Sequence, residues 1–456
     1  MRDPIAGPPG VRHIAREMLL RFVVENFGPF WGEQVLNLVG PAARKPAASD
    51  VLPPGIPRVA TIAAVLGANA SGKTSILRAM VAAANAVRRS HANWEATAGI
   101  PTSLRRPFRL KVDGAARSTR MAFDLAMGRE WYSYAFELND ERFLSEQLIH
   151  YPAAGRAGKL VFSRTVDDLD FGAGHARVCK PLGRVMRPNS LFLSVAAQNN
   201  VKWAMDLQEQ LSPYRLAEAA NDESRLAYAA ARAKDFSAKQ RERLRALLGA
   251  ADIGVVDFEV QSVQIPAAVA EAFQKIRSAA GELVRVRAPA ADGEKFGLLH
   301  LGHPDDTPTP MLFPLEEEST GTECLLALAV PAMDVLETGN VLIVDELDRS
   351  LHPVMVRAIV DLFRDRRINR RGAQLIFSTH QADLLDHLAR DEVWFTEKVH
   401  GASQLFPLTD FDAGRDPASV DAGYREGRYG AVPRLYSLLD RGEGADTAGD
   451  VVDGTK

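Results

Sequence analysis

The chain has almost no cysteine. Cys179 and Cys324 are its only two, far apart and without C-x-x-C spacing, which excludes a disulfide framework and a zinc module and leaves both as packing residues. Long apolar runs are missing too: no stretch approaches about 18 consecutive apolar residues, so no ordinary transmembrane helix and no membrane partner is expected. Met1 to Glu17 lacks the apolar core of a signal peptide and reads as a disordered leader, with ordered patterning starting at Met18, a candidate native start. An excess of one charge is also absent. Against 58 Asp plus Glu stand 55 Lys plus Arg, a formal net charge of -3, so no global positive field marks a nucleic-acid binder. What remains, 46% hydrophobic and 25% charged residues over 456 positions, is the composition of a globular cytoplasmic protein with room for roughly three domains, or one α/β domain with insertions.

What is present is a phosphate-binding pattern in its required context. The β-branched apolar run Val59 to Leu66 reads as a buried strand, Gly67-Ala68-Asn69-Ala70-Ser71-Gly72-Lys73-Thr74 as a tight loop, and Ser75 to Met80 as the start of a helix. Glycines let backbone N–H groups turn onto phosphates, the helix N-terminus adds its positive dipole end, Lys73 reaches the β- and γ-phosphates of ATP, and the Thr74 hydroxyl ligates Mg²⁺. Far downstream, Val341 to Val344 forms a second buried strand that ends in Asp345-Glu346. In P-loop enzymes the first such carboxylate holds the metal and the second orients or deprotonates the attacking water, so Asp345 is assigned to Mg²⁺ and Glu346 to the water. Gln374 to Phe377 reads as the next strand, with His380 just past its end, placed to meet the γ-phosphate or the water. Ser319-Thr320-Gly321-Thr322 opens a helical run and offers a capping hydroxyl with free N–H groups, an arrangement that is also an ordinary helix cap.

In this order the motifs resemble the ABC-type ATPase heads of the SMC, Rad50, RecF and OLD group, and Leu19 to Phe27 resembles that group's first strand. The C-terminal words Asp391 to Lys398, Leu408 to Phe411 and Gly427 to Pro433 are similar, more narrowly, to bacterial abortive-infection ATPases of the RloA and AbiL type. The resemblance implies an α/β P-loop head with an antiparallel β-lobe, and a homodimer or higher even-numbered oligomer that sandwiches ATP. It implies that Gly67, Asn69, Ala70, Ser71, Gly72, Lys73, Thr74 and Ser75 cradle one nucleotide. Ser319 and Gly321 act as the signature on the opposite subunit's γ-phosphate, Asp348 crosses the seam, and His380 is the switch histidine. The signature is Ser-Thr-Gly-Thr rather than Leu-Ser-Gly-Gly-Gln. Asn189 to Gln198 reads as a strand leading to a glutamine, which places Gln198 as the Q-loop residue near the nucleotide and metal, or else as a surface loop residue. The implied function is an ATPase that controls a partner effector, a nuclease, in anti-phage defence; a RecF-like clamp on DNA is the alternative, and RNA is left open.

The middle of the chain is too long for one βαβ unit, so an insertion branches from the sheet. Strand-like runs at Arg106–Leu110, Arg120–Leu125 and Trp131–Leu138 suit the β-lobe, and further strands are expected at Ile253–Val260, Leu283–Val286 and Phe296–Leu301. Trp203 to Leu248 reads as helical without sustained heptads, a short helical insertion rather than a coiled-coil arm. The expected organisation is a leader over 1–17, the N-terminal half of the head over 18–198, the helical insertion over 199–250, the C-terminal half over 251–440 and a disordered tail over 441–456. Basic clusters at Arg241–Arg245 and Arg364–Arg371 have acids or apolar residues at helical spacing and read as solvated helix faces. A standalone OLD-type nuclease is disfavoured because the stretch after His380 is short for a nuclease domain, and a transporter head because the signature diverges and the insertion is large.

Overall fold

The computed structural model describes residues 17–40, 58–95, 97–152, 157–211, 215–217, 222–251, 254–264, 292–302, 309–411 and 419–432. The leader, the tail, the expected strand at Leu283–Val286 and Pro433 lie outside them, Glu17 excepted.

Three sheets organise the chain. The first is an antiparallel lobe of β1 (Glu17–Glu25), β2 (Gln34–Asn37), β4 (Thr119–Met127), β5 (Glu130–Leu138), β6 (Phe143–Tyr151), β7 (Lys159–Arg164) and β8 (Leu169–Phe171), in the order β2-β1-β4-β5-β6-β7-β8. The second combines β3 (Ile62–Gly67), β9 (Arg215–Ala217), β13 (Val341–Val344), β14 (Gln374–Ser378), β15 (Val393–Val399) and β16 (Ala402–Pro407), in the order β16-β15-β3-β14-β13-β9. All its pairings are parallel except the antiparallel β15–β16 hairpin at one edge. A small antiparallel sheet of β10 (Val255–Gln264), β11 (Asp292–Gly302) and β12 (Thr309–Pro314) precedes the signature.

The parallel sheet is buried on both faces, which is why its strands read as unbroken apolar runs. Alternate residues of β3 serve two cores. Ala63 and Val65 join one with α1 (Lys73–Arg89), α3 (Phe192–Gln198), α4 (Lys202–Leu211) and the β-lobe, beyond the short α2 (Ala176–Cys179). Ile62, Ala64 and Leu66 join the other with α5 (Asp222–Lys234), α6 (Ala238–Ala250), α7 (Thr320–Thr338) and α8 (Pro353–Arg364). A final helix, α9 (Val420–Arg425), brings Tyr424 into that second core.

Several expectations change here. Arg106–Leu110 is not a strand; it is a connector whose Arg106 carbonyl accepts from Gly28 N–H at 2.5 Å and whose Phe108 N–H donates to the Asn26 side chain at 2.9 Å. Asn189–Gln198 is not a strand either. Its apolar run coils into α3 because the buried Glu146 carboxylate accepts the N–H groups of Phe192 and Leu193 at 2.6 and 2.9 Å, a cap supplied from β6 that local patterning does not contain. The segment expected as a helical insertion, 199–250, holds α4, α5 and α6 and also contributes β9, which pairs in parallel with β13 and so joins the central sheet.

Candidate nucleotide site

The carboxyl ends of β3, β13 and β14 meet at one edge of the parallel sheet, where open α/β sheets bind ligands. β14 lies between β3 and β13, so His380 falls between the phosphate loop and the acidic pair. The loop itself is held tightly from outside. A Cβ at Gly72, whose φ is +117°, would lie 3.1 Å from the Phe30 ring and from the Ser403 side chain, so only glycine fits. Ser71 Oγ and Thr396 Oγ1 are 2.6 Å apart, which ties the loop to β15.

Lys73 folds back into the loop. Its ammonium donates to the carbonyls of Gly67 at 2.8 Å and Ala68 at 3.0 Å and is almost fully buried. Burial pushes its pKa below the ordinary lysine value, while Asp345, Glu346 and Asp348 pull it upward. Thr74 and Asp345, 271 positions apart in sequence, meet where the metal is expected: Thr74 Oγ1 donates to Asp345 Oδ1 at 3.0 Å. Ser378, at the end of β14, donates to the same carboxylate oxygen at 2.6 Å and accepts the Glu346 N–H at 2.8 Å. One hydroxyl thus fixes both acids. Glu346 is exposed and has a left-handed backbone, φ +55°, a conformation that costs a non-glycine residue about 1–2 kcal/mol. Strain of this kind persists only where neighbours over-determine it, and here Ser378 does so.

Mg²⁺ takes one or two protein oxygens and fills its remaining positions with phosphate and water. The hydroxyl of Thr74 and the carboxylate of Asp345 are hard oxygen donors in contact, and they fit that demand. Among the described residues no group of three or more His, Cys, Asp or Glu converges as a zinc-like site would.

The other candidates divide. Asp348 accepts the His380 backbone N–H at 3.1 Å, so the residues expected at the seam and as the switch are joined within one chain. Ser319 caps α7, accepting Thr322 N–H at 3.2 Å, and Gly321 packs so closely that a Cβ would lie 3.2 Å from the Ser350 carbonyl. Thr320 and Cys324 line a small cleft with Asp345, Glu346, Arg349 and Ser350, which puts the signature helix beside the Asp345–Ser350 turn. Gln198 is the exception. It lines a polar cleft with Arg88 and Arg89, which close α1, whereas Lys73 opens that helix about 25 Å away. The structure does not bring Gln198 to the nucleotide or metal; its helix is capped by Glu146 and points its end elsewhere.

Ser378, Thr396 and Ser403 were missed in the sequence. The available signal was a hydroxyl closing an apolar strand next to the acidic pair. The C-terminal words do come together: the Phe395 ring stacks between Tyr424 and Tyr429, with centroids 5.4 and 5.8 Å away and planes within 10° and 11° of parallel. They cap β15, the neighbour of the phosphate-loop strand.

Fold and site together define a mixed α/β P-loop fold whose phosphate loop and acidic pair share one sheet edge. Residues 190–386 match the family model described as "AAA domain, putative AbiEii toxin, Type IV TA system". Among solved structures, the chain is similar to an SMC head bound to the C-terminal winged-helix domain of ScpA (11% identity, 85% of this chain and 97% of that one, TM-score 0.38). It is also similar to the SMC head of Thermotoga maritima (11%, 85% and 98%, TM-score 0.37). A third is the SMC head with an extended coiled coil bound to the C-terminal domain of ScpA, from Pyrococcus furiosus (12%, 91% and 99%, TM-score 0.41). No curated protein matches the chain in sequence. No helix among the described residues is long and apolar enough to cross a membrane.

Proposed function

We propose that the chain hydrolyses ATP, dimerises on it head to head, and uses that cycle in the cytoplasm to control a protein effector, a nuclease, in bacterial abortive-infection defence. The observation that carries the chemistry is the contact of Thr74, Asp345, Ser378 and Glu346 at one sheet edge. The family description over residues 190–386, which names an AbiEii toxin and a type IV system, supports the defence setting.

In this reading the loop amides and Lys73 bind the phosphates, and Thr74 with Asp345 would hold Mg²⁺. When bound, the ion neutralises charge on the transferring phosphoryl group. Glu346 orients a water and takes its proton, and its backbone N–H on Ser378 keeps it in line with that task. His380 meets the γ-phosphate side. Ser319, Gly321 and Asp348 complete the site across the dimer; Gly321 packs against the Ser350 carbonyl, which brings the start of α7 to the turn that carries Asp348. Gln198 has no part in it.

Phosphate release by the purified chain tests the reading. Glu346→Gln should bind ATP, accumulate as a dimer and lose turnover by about 10²- to 10⁴-fold; unchanged turnover removes Glu346 from the role. Lys73→Ala should lose both ATP binding and turnover, and retained tight binding would sink the P-loop assignment. A second reading, a RecF-like clamp on DNA, is favoured by one feature only, the exposed arginines of the Arg364–Arg371 cluster in the connection that leads into β14.

A further inference from the structure

The connector from Arg106 to Asp113 carries an exposed apolar tip. Leu110 and Val112 are 68% and 105% exposed, and Arg106, Arg109 and Lys111 around them are exposed as well. The stem, in contrast, is fixed from inside. Buried Asn26 accepts the Phe108 N–H at 2.9 Å and donates to the carbonyls of Gly114 at 3.1 Å and Arg117 at 2.7 Å. Acids near the loop are already engaged: Glu25 with Arg117, Glu33 with Arg120 at 2.8 Å and Asp140 with Arg105 at 2.6 Å. Asp113 is the one acid in the connector itself, so the loop is basic.

Its contacts put the tip at the nucleotide edge. β15 runs parallel to β3, so the turn between β15 and β16 overhangs the same sheet edge as the phosphate loop. Leu110 Cδ1 lies 3.3 Å from where a Cβ on Gly401, in that turn, would stand. Gly401 is two residues, at most about 7 Å, from Ser403, which packs on Gly72. The Phe108 ring is 5.8 Å from that of Trp31, the neighbour of Phe30, and Phe30 also packs on Gly72.

A complement flanks the signature. The turn Leu315–Glu317 leads into Ser319 and exposes Glu316 and Glu317. Glu316 pairs with Lys295 at 2.5 Å with both side chains more than half exposed, and Glu318 pairs with His300 at 2.6 Å. Among the described residues Glu317 has no cation paired with it. Just before the turn, Leu301 and Leu312 are 45% and 42% exposed. They share one face of the small sheet, because Leu312 pairs with Leu299, two residues before Leu301.

We propose that the loop Arg106–Val112 of one copy docks on the Glu316–Glu317 turn and Leu312 of a second copy, closing each nucleotide site from its flank when ATP is bound. The contact rests on the head-to-head dimer proposed above, in which the signature of one copy meets the phosphate loop of the other. That dimer sets what flanks the phosphate loop against what flanks the signature. Arg109 and Lys111 then meet carboxylates while Leu110 and Val112 meet Leu312. A polyanion alone would give Leu110 and Val112 nothing apolar to lie against, whereas a second copy offers charge and apolar surface together. Two-fold symmetry makes the contact occur twice, so every substitution in it acts twice.

Sedimentation velocity of the full chain carrying Glu346→Gln, with ATP and Mg²⁺, reads the dimer. In that background R109E/K111E should raise the dimer dissociation constant at least about tenfold, and E316K/E317K should do the same, since like charges then face each other. All four reversals together should bring it back to within about threefold of the parent, a rescue that a loop needed only for folding would not give. Should a reversed variant fail to fold, copies carrying K111C are mixed with copies carrying E317C. A short bismaleimide should then join the two with ATP and not without it, and should join neither to the parent chain. A parent that stays monomeric with ATP removes the head-to-head dimer and the docking together. A parent that dimerises while both reversed variants dimerise equally well removes the docking alone and leaves the loop to another protein. Reversals without rescue, or no ATP-dependent cross-link, overturn the docking too.

Discussion

The two ends of β14 use the same device for different purposes. At the carboxyl end, buried Ser378 bonds Asp345 and Glu346, two residues that reach the open sheet edge. At the amino end, buried Gln374 accepts the Leu19 N–H at 2.7 Å and donates to the carbonyls of Leu19 at 2.9 Å and Ala60 at 3.0 Å. One polar side chain assembles the candidate site; the other stitches the β-lobe to the parallel sheet. Both sit on the strand between the phosphate loop and the acidic pair, so the contrast separates chemistry from architecture within five residues of one element. A central strand is a good place for both because its backbone is already satisfied on either side, leaving the side chain free to bond elsewhere.

After Glu346→Gln itself, the largest effect that would break this contrast is expected from Ser378→Ala. It removes a charge-assisted bond and the acceptor for Glu346 N–H, together worth about 3 kcal/mol, or roughly 10²-fold in turnover if both are made in the transition state. The split is diagnostic: kcat should fall while KM for ATP stays near its starting value, and Ser378→Thr should recover most of the rate. Wild-type kcat in Ser378→Ala would show that the carboxylates hold their positions without it, and the two ends of β14 would then be alike in being structural.

The difference between these ends also marks what could be read from the sequence. The phosphate loop, the acidic pair and their flanking strands were legible because a strand buried on both faces has to be an apolar run, and Val59–Leu66 and Val341–Val344 have no other use for that pattern. Ser378 and Gln374 flank just such a run, but nothing local says which polar end carries chemistry. Gln198 was misplaced for a related reason. Its segment is apolar enough for a strand, and what makes it a helix is Glu146 on β6, a cap delivered by tertiary contact. The Arg364–Arg371 cluster was misread through periodicity, since acids and apolar residues at helical spacing mimic a helix face until Asn369 is seen to bond backwards to Phe363.

Gln374→Leu should sharpen the comparison from the opposite side. The substitution keeps the volume but leaves the Leu19 N–H and two carbonyls without partners in a dry interior, a loss of about 3 kcal/mol in stability. A lower denaturant midpoint should accompany ATP turnover per folded molecule within about twofold of the parent, since Gln374 lies a full strand away from the carboxylates. If turnover instead collapsed while the midpoint held, the lobe-to-sheet stitch would be part of the site after all.

The smallest effect is expected back at the nucleotide end, from Ser403→Ala. Ser403 is buried against Gly72, its N–H donates to the Pro29 carbonyl at 2.8 Å, and its hydroxyl has no hydrogen-bond partner. The work of the residue is therefore done by its backbone and by its small size. Deleting an unpartnered hydroxyl removes no bond and relieves a desolvation cost, so stability should stay level or rise by up to about 1 kcal/mol. Turnover should stay within about twofold, because the Cβ that spaces Gly72 from β16 is retained. Ser403→Val keeps the same backbone but adds bulk on the side of Gly72, where even a Cβ on that glycine would come within 3.1 Å of the Ser403 side chain, and it should weaken ATP binding while leaving the distant Gln374 stitch intact. Equal ATP affinity in the alanine and valine variants would mean that the loop is not clamped from β16, and that Ser71 on Thr396 alone positions it.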